Sequence, residues 1–267
     1  MEEREEEEMS FLDHLEELRW RIMRTAIAIA VGAIVIFIMK DFVFDTIIFG
    51  PRRLDFASFQ AWCSISEWIG LGDKLCVKEI KYEVISTTML GQFTAHLVVS
   101  IVGGIIFAFP YMFYEFWSFI KPGLKTTEKN SVRGISFFTS FLFFSGIVFG
   151  YYVIVPLSLQ FLGSYQVGDV VSRISVMSYM KTIVSIVLAA GIIFQLPILV
   201  YFLAKIGLVS SMMLKKYRKH ALVGVLVLAA VITPPDITSQ ILVSLPVLLL
   251  YEISILIARR IEKSRAD

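Results

Sequence analysis

Residues Met180–Leu203 read MKTIVSIVLAAGIIFQLPILVYFL, and this run decides the fold. Lys181 is its one formal charge. A bilayer core about 30 Å thick needs roughly 20 apolar residues of helix, so the run is long enough to cross a membrane. Lipid offers no partner to an open backbone, so the run must be helical, with Pro197 carried inside it. Working outward, the same reading applies to Trp20–Met39, Ala95–Phe113, Ile135–Leu157, Tyr217–Thr233 and Ile237–Ala258, with Pro156 near the end of the third span. At 57% hydrophobic residues and mean hydropathy +0.74, a 267-residue soluble domain would have nowhere to hide this apolar surface. The expectation is an all-α membrane protein with six transmembrane helices in a single integral domain over 1–267. Its few intramembrane polar residues and compact charged loops must carry the function.

Orientation follows from Lys and Arg. Most of the 25 basic residues sit before span one, between spans two and three, between spans four and five, and after span six. Arg19, Arg24, Lys121, Lys125, Lys215, Lys216, Arg259 and Arg260 are examples. The positive-inside rule then places both termini in the cytoplasm. The start of the chain is acidic (Glu2, Glu3, Glu5 to Glu8), whereas a signal n-region is basic. No cleavable signal peptide is therefore expected, and span one stays in place.

Residues 1–9 read as a solvated acidic tail. Ser10 reads as an N-cap with Asp13 three residues on, a relative of the capping box. Phe11, Leu15, Leu18 and Ile22 recur at helical spacing, so 10–22 form a cytoplasmic amphipathic helix that runs into span one. Its polar stripe carries Asp13, Glu17, Arg21 and Arg24. The long outer, periplasmic loop 40–94 is expected to hold interfacial helices near 55–70, from Phe56, Phe59, Trp62 and Trp68, and an extended piece over 79–88. Cys63 and Cys76 both fall in it. In an oxidising compartment they either pair or stay free thiols; shared placement outside the membrane favours the pair, whose loop closure is worth on the order of 3 kcal/mol. Two cysteines without a nearby histidine supply too few ligands for a metal site. Spans five and six read as a short hairpin around Thr233-Pro234-Pro235-Asp236, because the apolar run 221–232 is brief and Thr238, Ser239 and Gln240 delay the next one.

Four fragments stand out. His14-Leu-Glu-Glu17-Leu-Arg19 places Glu17 on a polar helical face, where its ordinary use is an i,i+4 pair with Arg21. FPYMFYEFWSFIKPGL at 109–124 leads to Glu128 in a basic loop, ordinarily a solvated acid. Phe194-Gln195-Leu-Pro197 interrupts span four, and TPPDITSQ at 233–240 is ordinary turn chemistry taken alone.

Together, in this order across a six-span frame, these fragments resemble the TatC family, the receptor subunit of the twin-arginine protein translocase, over nearly the whole chain. The resemblance implies a concave bundle with short fifth and sixth helices. It implies a cytoplasmic site for twin-arginine signal peptides, with Glu17 and Glu128 as the glutamates. Phe119, Pro122 and Leu124 would pack the peptide's apolar part, and Arg19 would hold the tip. Two carboxylates near the membrane face suit two consecutive arginines, since a guanidinium is a fork that a carboxylate engages with parallel hydrogen bonds. Thr233 and Gln240 match positions that dock single-span partners of the TatA/TatB type, with Pro235 and Asp236 at the outer turn, and self-association in the complex is also implied. Transport would draw on the proton-motive force. The chain departs from the family at Gln195, where a buried glutamate is frequent; the neutral amide keeps hydrogen bonding and avoids a charge costing about 2.5–3.5 kcal/mol at a helix centre. Its outer loop is also longer than the family's usual one.

Other readings fare worse. A proton-coupled solute transporter calls for mid-span acids and an internal repeat, neither of which stands out. An intramembrane serine protease needs a deep Ser–His pair, yet His96 and His220 lie near span ends and no Gly-x-Ser-x-Gly occurs. No Walker loop is present. The expectation is therefore a non-enzyme without cofactor, metal or nucleic-acid partner.

Overall fold

The computed structural model describes residues 11–70, 72–80, 82–120, 132–165, 168, 173–232 and 237–266. Two compact units make up the chain: Met1–Ile38 with Ser100–Ser140, and Met39–Val99 with Phe141–Asp267.

In the first unit, α1 (Phe11–Ile38) crosses the second part of α3 (Gly91–Ile120). The amphipathic segment and span one are one continuous helix, as the unbroken apolar stripe requires. The crossing is made by glycine. A Cβ on Gly104 would stand 2.6 Å from the Ala33 amide nitrogen and 2.7 Å from the Ile29 carbonyl oxygen. Without side chains at the crossing, backbones approach closely and dispersion replaces the missing hydrophobic drive between helices in lipid. Pro110 lies inside α3 without ending it.

The second unit holds the outer loop and the remaining helices. Beyond α1 the chain continues through a short helical turn at Lys40–Phe42 and a wide turn at Val43–Ile48, then reaches α2 (Ala57–Trp68), within the stretch expected to be interfacial. The carbonyls closing that wide turn have no further helical donor. Tyr151 donates to Ile47 O at 2.6 Å, and the buried Tyr179 donates to Ile48 O at 3.0 Å. Spans three and four thus hold the loop by its backbone. A disulfide joins Cys63 of α2 to Cys76. The extended piece contains β1 (Glu83–Ile85), which pairs in parallel with β2 (Arg173–Ser175), Val84 opposite Ile174, a small addition to an otherwise helical protein.

Span three is α4 (Val132–Phe149), a wide π turn at Gly150–Ile154, and α5 (Val155–Ser164). The π turn lies directly before Pro156, whose missing N–H is tolerated in the first turn of α5. The span therefore runs on to Ser164, past the Leu157 expected from hydropathy. Span four is α6 (Val176–Ile193) and α7 (Leu196–Lys205), broken ahead of Pro197. Ser175 caps α6, accepting from Ser178 N. Gly207, at φ 84°, ends α7 in the left-handed conformation that a Cβ would penalise.

Among the described residues five stretches are long and apolar enough to cross a membrane: Leu15–Ile38, Gly91–Phe119, Gly134–Ser164, Val176–Lys205 and Gln240–Lys263. The helix expected as span five, α9 (Arg218–Ile232), has 15 residues and stays short. Its neighbour does not: α10 (Ile237–Ala266) has 30 residues. The expectation of a short sixth helix counted only the apolar run, whereas the polar first turn and the charged last turns are helical too. Val200 and Ala204 of α7 pack on Ala258 of α10, joined by Leu214 of α8 (Ser211–Lys216).

Candidate functional site

Helical spacing in the first unit brings three charged groups together. On α1, Arg21 follows Glu17 by one turn and donates from Nε (3.1 Å) and Nη2 (2.5 Å) to the same oxygen, Glu17 Oε1. Its remaining arm, Nη1, donates to Glu115 Oε2 on α3 at 2.9 Å. Tyr111, one turn before Glu115, donates to Glu115 Oε1 at 2.7 Å. Glu115 is only 5% exposed, although it is an acid within an apolar run. Two carboxylates share one guanidinium, so the cluster carries a net negative charge. An exposed ion pair is worth about 0–1 kcal/mol, but one with a buried member costs about 3–5 kcal/mol to break. The Glu115–Arg21 half is therefore the strong one, and it ties α3 to α1.

Beside the cluster lies an apolar groove of about 310 Å³. Leu18, Ile22, Thr25, Ala26 and Ile29 of α1 line it, with Met112, Phe116 and Phe119 of α3, while Arg21 and Glu115 close one part. A slot of this kind takes an aliphatic or aromatic side chain, with a site for a cation next to it.

Of the residues singled out from the sequence, Phe119 lines the groove, and Glu17 holds Arg21, which closes one part of it. Arg19 lies exposed on α1, and the guanidinium that bridges the helices belongs to Arg21 instead. Pro122, Leu124 and Glu128, like Thr233, Pro235 and Asp236, lie outside the described residues. In the second unit, Gln240 Nε2 donates to Leu226 O of α9 at 3.0 Å, so its amide is used in pairing α10 with α9. Gln195 stands half-buried at the α6–α7 break, where its main-chain carbonyl accepts from the backbone amides of Ile198 and Leu199, both at 3.0 Å. Glu252 of α10 pairs with Arg218 at the start of α9. Arg259 lies two turns further along α10, about 10 Å away by the helical rise, whereas Arg218 faces Glu252 from the neighbouring helix.

Sequence reading passed over Glu115. The signal was present: one acid in FPYMFYEFWSF must find a partner or pay heavily for its charge. Tyr111 at i−4 was one visible partner, while Arg21 lies on another helix. Among the described residues no group of three or more His, Cys, Asp or Glu side chains is placed to hold a metal.

A family model described as Sec-independent protein translocase protein (TatC) matches residues 13–246. A Sec-independent protein translocase protein TatC from Blattabacterium sp. subsp. Periplaneta americana is 36% identical over 98% of this chain and 99% of its own length. The protein of the same description from Helicobacter pylori strain 26695 is 33% identical over 95% of this chain and 89% of its own. Among solved structures, a crystal structure of the twin-arginine translocase receptor TatC in DDM superposes with a TM-score of 0.69 at 31% identity, covering 91% of this chain and 98% of that one.

Proposed function

Because the chain belongs to the TatC family of Sec-independent protein translocase proteins, and so is a membrane component of the twin-arginine translocase, we propose that it is the subunit that receives twin-arginine signal peptides. The supporting observation is Glu17: its carboxylate already holds a guanidinium, at the mouth of an apolar groove that reaches Phe119. That is the chemistry an Arg-Arg motif followed by apolar residues requires. Glu17 takes one arginine and Glu128 the other, while Phe119, Pro122 and Leu124 pack the apolar positions and Arg19 supports the tip. Arginine is favoured over lysine because its planar fork satisfies both carboxylate oxygens, whereas an ammonium acts as a point charge. The site faces the cytoplasm of a bacterial inner membrane, with both termini on that side. No bond is made or broken in this reading, so the chain acts as a transport component without catalysis.

Folded cargo then crosses together with TatA- and TatB-type single-span partners, which dock at the outer ends of the last two spans near Thr233, Pro235, Asp236 and Gln240. The proton-motive force supplies the energy. Gln195 contributes hydrogen bonding rather than a titratable acid.

The test is site-specific photocrosslinking of signal peptides in membranes, comparing twin-Arg with twin-Lys peptides on wild-type, Glu17→Ala and Glu128→Ala protein. Twin-Arg crosslinks that vanish with Lys and with either substitution support the reading. Crosslinks indifferent to all three changes overturn it.

A further inference from the structure

Arg21 already occupies the carboxylate that the incoming arginine is to use. We propose that Arg21 is an internal stand-in for the signal's arginine, parked on Glu115 and exchanged off Glu17 when a signal peptide binds, and that this exchange sets a threshold of affinity that arginine clears and lysine does not. The inference rests on the receptor reading above and adds its specificity device.

Three features carry it. First, both bonds from Arg21 to Glu17 end on Oε1, because residues one turn apart on one helix approach side by side. An arginine arriving from outside can meet Glu17 head-on with both oxygens, the stronger arrangement. Second, Arg21 does not lose its charge partner when displaced. Its Nη1 stays on Glu115 Oε2, and Glu115, buried and held on its other oxygen by Tyr111, would be left uncompensated if Arg21 departed altogether. Arg21 therefore moves between holding two carboxylates and holding one. Third, the groups fit a single newcomer: with Arg21 kept on Glu115, the Glu17 carboxylate is released for one more arginine. A lysine pays the same cost of dislodging Arg21 and gains only a point-charge contact. Arginine pays that cost as well, so the affinity ratio is unchanged; the cost instead holds lysine below the occupancy that arginine still reaches.

The residue missed from the sequence, Glu115, thus becomes a positioning residue. It keeps Arg21 close enough to reclaim Glu17 when the peptide leaves.

The experiment measures twin-Arg and twin-Lys crosslinks to full-length protein in membranes for wild type, Arg21→Gln/Glu115→Gln and Arg21→Lys. The double variant removes competitor and buried acid together and leaves an amide pair, so no buried charge is stranded. Twin-Arg crosslinking, already near saturation, is expected to persist while the unsaturated twin-Lys crosslinking rises about tenfold, the factor set by removing a displacement cost of about 1.4 kcal/mol. Arg21→Lys, a weaker competitor that still neutralises Glu115, should fall between. An unchanged ratio in both variants overturns the proposal and leaves Arg21–Glu115 as a clamp between helices. Should the double variant fail to accumulate, Arg21→Lys alone decides: an intermediate ratio supports exchange, a wild-type ratio refutes it. Glu17→Ala runs alongside as the control. Loss of twin-Arg crosslinks there with unchanged ratios elsewhere sinks only the exchange, whereas persistence there sinks the receptor reading itself.

Discussion

At the scale of single residues, five positions bear testable weight outside the charged cluster: Gly104, Gly163, Tyr82, Cys63 and Cys76. Gly104 sits where a Cβ would meet the backbone of α1, and backbone cannot rotate out of the way. Gly104→Leu should therefore cost about 1–3 kcal/mol by overpacking and lower the thermal midpoint in detergent; an unshifted midpoint would mean the helices separate without cost. Gly163 is tighter still, its Cβ standing 2.1 Å from Cδ1 of Tyr82. Gly163→Ala should destabilise, and adding Tyr82→Ala should recover part of the loss; failure to recover would show that the ring is not the obstacle. Burial pushes the Tyr82 phenol up to about 12. The unfolded phenol ionises near pH 10 while the folded one stays protonated. The contribution is thus complete below about pH 10 and lost as the pH rises toward 12. Tyr82→Phe should be less sensitive than wild type to alkaline unfolding in that window. Cys63 and Cys76, 13 residues apart in sequence, close a loop whose entropy is worth about 3 kcal/mol. Reductant should lower the midpoint of wild type and leave Cys63→Ser/Cys76→Ser unmoved.

At the scale of elements, the contrast between the last two helices matters most. With 15 residues, α9 is about 22 Å long by the α-helical rise, short of the bilayer core. Its 30-residue neighbour α10 has no such deficit. A mismatch of this kind is met by bilayer thinning or by a covering partner helix. If α9 thins the membrane where cargo passes, inserting three leucines after Val225 should reduce transport of a folded reporter while signal-peptide crosslinks survive. Undiminished transport would remove thinning from the mechanism. Hydropathy exposed the weakness of span five because its apolar run is short. It misjudged span six because helix length and apolar length differ wherever a helix begins or ends in polar residues. The π turn before Pro156 was equally hidden, since hydropathy registers the proline but not how the preceding turn widens to receive it.

At the scale of the whole molecule, the distribution of Lys and Arg sets one further expectation, that both ends of the chain face the cytoplasm. In inverted membrane vesicles a C-terminal tag should be digested by protease; protection of the tag would reverse the topology and move Glu17 away from any cytoplasmic peptide. The sequence by itself determined that the chain is helical and membrane-embedded, where most spans lie, and that its motifs belong to a protein translocase. The first two depend on local composition and short-range spacing, which lipid enforces residue by residue through the cost of unpaired backbone, and the third rests on the resemblance of four fragments to the TatC family. Only the tertiary structure decided that Arg21 rather than Arg19 bridges the helices, that Glu115 is its buried partner, and that Glu252 answers Arg218. Each of those pairings joins residues far apart in the chain, and a helix's periodicity says which face a charge occupies without saying which charge waits on the helix opposite.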